Sequence, residues 1–582
     1  MRASSPLGRA ILRPLLTGLL HAVLMAAAFP PFNLWPLAFV APVPLVWAAV
    51  QGWPAVGPRG SRLRTVLYAL RAPLLVALGV LPLWAYEQQW VVQVSALGYW
   101  PFIAVLAAFS GLFVGLMRVL IRRWPRLPLT VSVPLVWTAV EVFRGEVFFD
   151  GYPWLLVAHP LIDSPGLALP AAVLGVYFVG LLVAAISGGL SDLLFARPIR
   201  PAWAAGAAGA CALVWLATPL LAPLGPAGPG PFRIAVIQTN LPQDNKLGWS
   251  PEERLEAFRH WVDLTRQAAA ASPRPALIVW PETMFPGTYL DPQAVEEVRR
   301  ERLVYRDIGL PMTEFHDALA GVQRELGIPM LVGAQGVDGL RIEVRDDGRV
   351  AEDQDAFFNS VFLIRGGRVE DTRYDKMQLT PFGEVMPYIS AWPWLEQQLL
   401  NLGAQGMQFN LQAGSRPRTF QVQGPAGPVI LGTPICFEAI MPAVCRRLAR
   451  AGDPGPPRAL VNLTNDGWFG NFDPAREQHL QNARWRCLEL GIPMVRAANT
   501  GISAAIDARG RILTRGVEGD ARGVRIPGVL LADIQPAPAR TIAASVGRLF
   551  AWLILGAAAA ILLWAGLTRR GGWGRRERPL PG

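Results

Sequence analysis

The chain has 582 residues, of which 52% are apolar and only 17% charged, with a formal net charge of +11. Its four cysteines, Cys211, Cys436, Cys445 and Cys487, are too few for a disulfide scaffold and show no CxxC spacing; the five histidines, His21, His159, His260, His316 and His479, lack metal-ligand spacing, so no metal site is expected. Much of the positive charge sits in loops between apolar runs and in the C-terminal tail, so it does not mark a nucleic-acid surface.

In chain order, eight largely uncharged stretches are long enough to cross a hydrocarbon core of about 30 Å: 14–30, 33–51, 66–86, 99–117, 127–143, 167–190, 202–224 and 549–567. Arg71 interrupts the third and Glu141 the fifth, and the hairpin FPPFNLW joins the first two. The small residues of AAAF could close a cleavable signal peptide, but a second span follows at once.

The connections alternate in charge. Arg2, Arg9 and Arg13 precede the first span, Arg59, Arg62 and Arg64 follow the second, Arg118, Arg122, Arg123 and Arg126 the fourth, and Arg197 and Arg200 the sixth. The tail carries Arg569, Arg570, Arg575, Arg576 and Arg578, whereas the alternate loops hold Glu87, Glu146, Asp150 and Asp163 against Arg144. Because Lys and Arg stay on the cytoplasmic side, both termini are expected there. The expected domains are a seven-span membrane domain over 1–228, an extracytoplasmic domain over 229–540, and an eighth span with a basic cytoplasmic tail over 541–582.

The extracytoplasmic region alternates short β-rich runs with amphipathic stretches. FRIAVIQTN, ALIVWPET, MLVGAQGV, NSVFLIRGG, PVILGTPICFE and ALVNLTND are predicted strands; PEERLEAFRHWVDLTRQAAA and MTEFHDALAGVQREL are predicted helices. An α/β domain follows, with functional side chains where strands give way to loops.

Three segments carry the groups that covalent acyl chemistry needs: Glu282 in IVWPET, Lys376 in YDKMQLTPFGE and Cys436 in VILGTPICFE. A free thiol, with a pKa of about 8.5, is mostly protonated at neutral pH and needs a base and a nearby cation. Glu282 can take the thiol proton and later deprotonate the acceptor; Lys376 can hold the oxyanion of the tetrahedral intermediate. Of 54 basic residues only Lys246 and Lys376 are lysines. A lysine retained against so strong a bias toward arginine points to a compact ammonium that a planar guanidinium cannot replace. On the same count Lys246, in DNKLGW, is a weaker candidate for substrate contact.

WPET at 280–283, YDKMQLTPFGE at 374–384 and ICFEAIMP at 435–442 resemble the glutamate, lysine and cysteine motifs of the nitrilase superfamily. AAFPPFNLWPLAFVAPVPL, GYPWL at 151–155, IQTNLPQDNK and NDGWFGN at 465–471 narrow the resemblance to the bacterial apolipoprotein N-acyltransferases, over nearly the whole chain. The resemblance implies an αββα sandwich on an eight-span membrane domain, in the bacterial inner membrane with the catalytic domain on its periplasmic face. It also implies Cys436 as nucleophile, Glu282 as base and Lys376 as oxyanion stabiliser. The implied reaction takes an acyl chain from a membrane phospholipid, holds it as a thioester and passes it to the α-amino group of diacylglyceryl-cysteine on an apolipoprotein, without a cofactor. Glu384 and Glu438 match supporting carboxylates and Trp249 matches a functional tryptophan. Phe437 stands where a tyrosine is expected, and AHP at 158–160 departs from the usual residues after GYPWL; Phe437 is nonetheless expected to line the substrate site.

A donor and an acceptor both anchored in lipid require a site held against the outer face of the bilayer. PYISAWPWLEQQLLNLG, 387–403, concentrates Tyr388, Trp392, Trp394, Leu395, Leu399 and Leu400; such a stretch suits the membrane interface, as a lid that admits acyl chains, or an ordinary core helix. Asn465 and Asp466 of the turn-rich NDGWFG are expected to shape the pocket wall. Two rival readings are a membrane-tethered nitrilase-type amidase acting on a small amide, and a transporter or receptor. The scarcity of charge within the spans argues against a transporter.

Overall fold

The computed structural model describes residues 6–51, 62–195, 201–221, 230–241, 250–305, 308–344, 350–381, 383–385, 394 and 411–567. Among these, six helices are long and apolar enough to cross a membrane: Ile11–Ala28, Ala69–Glu87, Gly98–Arg123, Val176–Leu194, Ala202–Leu221 and Ile542–Ala565. The two other expected spans take different forms. Stretch 33–51 breaks into a 3-10 turn, Trp35–Phe39, and a short helix, Val43–Val50, while 127–143 lies in the helix Leu129–Glu146, which carries Glu141 and Arg144. The stretch 167–190 is also interrupted, because Gly175 takes a φ of +91° before the helix Val176–Leu194 begins.

Close helix contact depends on small residues. A Cβ on Gly18 would lie 2.4 Å from the Val76 carbonyl oxygen, and one on Gly79 2.2 Å from that of Leu15, so only glycine lets these two helices approach. Leu129–Glu146 packs along Val176–Leu194, and its first turn is capped by Asp192, which accepts the backbone N–H of Leu129 at 3.0 Å and of Thr130 at 2.9 Å.

Among the described residues after 230, twelve strands build the two large sheets: β1 Phe232–Gln238, β2 Leu277–Trp280, β3 Met330–Asp338, β4 Ala356–Arg365, β5 Arg368–Asp375, β6 Thr419–Gly424, β7 Gly427–Gly432, β8 Ala459–Thr464, β9 Met494–Ala498, β10 Ala504–Ile506, β11 Ile512–Arg515 and β12 Gly528–Ile534. They form two six-stranded sheets, β12-β1-β2-β3-β4-β5 and β6-β7-β8-β9-β10-β11. Each sheet has a parallel centre, β1-β2-β3 or β7-β8-β9, flanked by antiparallel strands.

Period-two alternation explains the layering. In β1 and β2, Ile234, Val236, Leu277 and Val279 face a core shared with Leu431, Val461, Leu463 and Val495 of the second sheet. Their neighbours Ala235, Ile237, Ile278 and Trp280 face the other way, under Phe258, Trp261 and Val262 of the helix Pro251–Ala269. Both faces are buried, which is why the strands read as continuous apolar runs. The second sheet is covered by Pro442–Ala451 and Asp473–Leu490, so helices lie outside two facing sheets, the expected αββα sandwich. Pro251–Ala269 starts at a capping box, with Glu253 N–H donating to Ser250 Oγ at 3.2 Å and Ser250 N–H to Glu253 Oε2 at 2.9 Å.

All six predicted strands and both predicted helices are present. In the two large sheets six further strands, β5, β6 and β9–β12, go beyond the sequence reading, as do the helices Pro292–Arg300, Pro442–Ala451 and Asp473–Leu490. The helix Asp473–Leu490 shows no apolar stripe because it is covered on nearly every side, and part of its buried polar surface meets the membrane domain. Val176 N–H donates to Glu489 at 2.6 Å, Trp154 Nε1 to Gln478 at 2.7 Å, and Trp485 Nε1 to the His159 carbonyl at 3.2 Å, the last using one of the unusual residues after GYPWL.

Candidate active site

Strand direction gathers the three candidate groups at one edge of the sandwich. Glu282 lies two residues beyond β2, Lys376 directly follows β5, which runs parallel to β2 across two antiparallel steps, and Cys436 follows β7 where Ile435 bridges to Leu463 of β8. Lys376 Nζ is 3.5 Å from Glu282 Oε1, 2.7 Å from Glu384 Oε2 and 3.2 Å from Thr380 Oγ1. Asn359 ties the two carboxylates together, donating from Nδ2 to Glu282 at 2.8 Å and to Glu384 at 2.9 Å. The second oxygen of Glu282 accepts the Asn465 backbone N–H at 2.7 Å.

Burial distinguishes the members. Lys376 is 1% and Glu282 4% exposed, whereas Cys436 is partly accessible and the other three cysteines are buried. A substrate therefore meets the thiol first. Burial, and after it the Glu282 carboxylate, pushes the Cys436 thiol well above its ordinary value, which Lys376 and Thr464 only partly offset. The resting thiol is neutral, so its proton must leave as it attacks. Burial alone would lower the Lys376 ammonium, but Glu384 and Glu282 outweigh it and hold the lysine charged. The same pairing, with hydrogen bonds from Thr380 and Asn359, brings Glu384 below the usual glutamate value against the effect of burial.

Cys436 sits at a φ of +48° at the head of the 3-10 turn Cys436–Ile440. A side chain other than glycine costs about 1–3 kcal/mol in such backbone, and Glu438 offsets that strain. One of its oxygens accepts Met377 N–H at 2.6 Å and Gln378 N–H at 3.0 Å; the other accepts Ile435 N–H at 2.7 Å and the Tyr374 hydroxyl at 2.8 Å. Burial pushes this carboxyl up to about 7, while the bonds from Ile435 and Gln378 act in the opposite direction. The result is a clamp between the nucleophile turn and the segment that carries the lysine.

Behind the nucleophile, Asn462 Nδ2 donates to the carbonyls of Pro434 at 2.9 Å and Cys436 at 3.4 Å, and Arg496 donates to Asn462 at 2.8 Å and Asp466 at 2.5 Å. Asp466 and the backbone of Asn465 thus tie the NDGWFG turn to the nucleophile strand and to Glu282. Burial and then the Arg496 charge work in opposite senses on Asp466, and the charge prevails, leaving the carboxyl well below its ordinary value.

Phe437 is buried, with its ring stacked 6.1 Å from Tyr152 at an interplanar angle of 20°. The GYPWL segment of the membrane domain is therefore part of the wall beside the nucleophile, and the irregular buried backbone just after it is met by Glu141, which accepts Val157 N–H at 2.7 Å. Trp394 is 74% exposed. Trp249, Tyr388, Trp392 and Lys246 lie outside the described residues. Sequence reasoning missed Asn359, Thr380, Asn462 and Arg496. Of these, Asn359 was discoverable, as the polar residue that opens the apolar run NSVFLIRGG.

Residues 21–189 match the apolipoprotein N-acyltransferase N-terminal domain family, and 233–543 match the carbon-nitrogen hydrolase family. The chain is 28% identical to the apolipoprotein N-acyltransferase of Geobacter metallireducens over 94% of each chain. It is 30% identical to that of Methylococcus capsulatus, over 86% of this chain and 87% of the relative, and 30% identical to that of Rhizobium meliloti, over 85% and 86%.

Proposed function

Because this chain belongs to the apolipoprotein N-acyltransferase family, we propose that Cys436 carries the acyl group as a thioester between a membrane phospholipid and an apolipoprotein. The protein is an acyltransferase that N-acylates apolipoproteins. The observation that carries the residue assignment is the convergence of Glu282, Lys376 and the only partly accessible cysteine from three separate chain segments.

Glu282 removes the thiol proton as Sγ attacks the ester carbonyl, and the Lys376 ammonium holds the oxyanion. Collapse expels the glyceryl oxygen, which takes the proton from Glu282 and leaves as a lysophospholipid. The α-amine of diacylglyceryl-cysteine then attacks the thioester, Glu282 receives the amine proton, and the departing thiolate regains it. Glu384 keeps Lys376 charged and Glu438 keeps the nucleophile turn in register; no cofactor enters any step. Phe437 walls the acyl site, while Trp249, Tyr388, Trp392 and Trp394 are assigned to substrate contact on their sequence character.

The arrangement in the bilayer is part of the same proposal: eight crossings, domains at 1–228, 229–540 and 541–582, both termini in the cytoplasm and the sandwich on the periplasmic face of the inner membrane. The alternating arginines support it. An amidase acting on a small amide is not favoured, since the similarity extends through the membrane domain.

Intact mass after incubation with phospholipid alone tests the mechanism. The protein should gain one fatty acyl group on Cys436, lose it to neutral hydroxylamine, and discharge it to a diacylglyceryl-cysteine peptide. Active protein without any such adduct would overturn the proposal.

A further inference from the structure

The outer end of the helix Arg62–Glu87 reaches the catalytic domain through two consecutive polar residues that are completely buried, Glu87 and Gln88. Gln88 Oε1 accepts the Tyr152 hydroxyl at 2.7 Å. Glu87 Oε2 accepts Gln478 Nε2 at 2.5 Å, and Gln478 Oε1 in turn accepts Trp154 Nε1 at 2.7 Å. The rings held this way are stacked: Trp154 lies 6.1 Å from Tyr152 at 17°, and Tyr152 lies 6.1 Å from Phe437 at 20°. Phe437 is the residue next to the nucleophile. Two struts from one span therefore end on a three-ring stack whose last member adjoins Cys436.

Stability does not account for this choice of residues. Each strut uses one polar atom and leaves its other, Glu87 Oε1 or Gln88 Nε2, without a protein hydrogen bond. Burying a carboxyl group and an amide half-satisfied costs free energy that apolar residues of the same size would avoid. What the struts contribute is direction. A hydrogen bond fixes where the Tyr152 and Trp154 rings stand, and apolar contact would let them slide. We infer that Glu87 and Gln88 are positioning residues for acyl transfer, acting through Trp154 and Tyr152 to hold the wall against which the donor ester is presented to Cys436. Displacement of a reacting group by about 1 Å can slow chemistry by up to a hundredfold, so the loading rate is the quantity that reports the role.

The inference rests on the reading of Cys436 as the acylated nucleophile, and the test separates the two. Full-length protein in lipid nanodiscs is mixed with saturating phospholipid and no acceptor, and adduct formation on Cys436 is followed by intact mass. Absence of adduct on the parent protein would be a failure of the thioester reading. Given an adduct, Gln88→Ala should load about tenfold more slowly at saturating phospholipid, measured well below the melting transition of the variant, and Gln88→Glu, which keeps an acceptor for the Tyr152 hydroxyl, should recover the parent rate. Tyr152→Phe should match Gln88→Ala, and the double variant should be no slower than either single one, because both remove the same bond. Glu87→Ala should slow loading likewise, and Glu87→Gln should restore it. Parent loading rates in the alanine variants, or effects that multiply in the double variant, would overturn the inference. Should Gln88→Ala fail to assemble, Tyr152→Phe decides alone: it keeps the ring and removes only the hydroxyl, so an unchanged rate would refute the role.

Discussion

Glu438 accepts the backbone N–H of Met377 at 2.6 Å. The residue two places after the nucleophile thereby grips the residue one place after the lysine, so neither catalytic segment can move alone. Glu438→Gln tests this clamp. An amide has one acceptor oxygen where the carboxylate has two, and its NH2 faces donors. Leaving two buried donors unpaired should destabilise the protein by about 2 kcal/mol and slow thioester formation about a hundredfold, as expected for about 1 Å of displacement. Wild-type loading in a folded Glu438→Gln variant would refute the clamp.

Glu282→Gln, Lys376→Ala and Cys436→Ala should each abolish N-acylation while the protein stays folded in the membrane, since removing one member of a cooperating set removes most of the rate. Lys376→Arg should fail too. The ammonium sits between Glu384, Glu282 and Thr380 at 1% exposure, a space fitted to one nitrogen and not to a planar fork. Turnover near wild type in a lipoprotein mobility assay of Cys436→Ala would exclude the covalent route.

The Lys376–Glu384 pair also predicts a response to acid. Glu384 is held below its ordinary value of 4.5, so the folded state binds its proton less tightly than the unfolded chain does. Its stabilising contribution is complete above about pH 4.5 and is lost as pH falls through the lowered folded value. Melting temperatures of wild type and Glu384→Gln should converge from about pH 5 to pH 3. A constant gap across that range would mean that the pair is not ionised in the folded protein.

Orientation can be read with an impermeant thiol reagent on intact cells, in a Cys436→Ala background. Asp371→Cys, exposed on the sandwich, should label from outside, and Arg123→Cys, at the end of the helix Ala96–Arg123, should resist. Labelling of Arg123→Cys from outside would reverse the topology.

A change at the interface should act on access and leave the chemistry intact. Trp394 is exposed, and Trp394→Ser should slow acyl loading from vesicles while leaving the reaction of Cys436 with a small water-soluble thiol reagent unchanged. A loss in both assays would place this residue in the site itself.

Much of this architecture was legible from local pattern. Apolar runs marked the long helices, short apolar runs rich in β-branched residues marked predicted strands in both parallel centres, and the bias against lysine singled out Lys376. These signals survive in one dimension because burial acts on each residue separately. The expected span at 33–51 has a different form because a hydropathy pattern does not report the turn at Trp35–Phe39. The strand β5 stayed hidden for a related reason: only Val369 and Tyr374 of its eight residues are buried, so RVEDTRYD has no apolar run to stand out.

Which groups meet was decided by tertiary structure alone. Asn359 becomes a bridge between Glu282 and Glu384 only because β4 lies between β3 and β5. Glu87 and Gln478 are 391 residues apart in the chain yet share a hydrogen bond. The helix Asp473–Leu490 carries no apolar stripe to find, since an amphipathic stripe forms only when one face meets water, and here both faces are covered. Residue type reports the cost of burial, which is local; the partner that offsets a buried charge is set by how distant segments are folded together, and no short stretch of sequence encodes it.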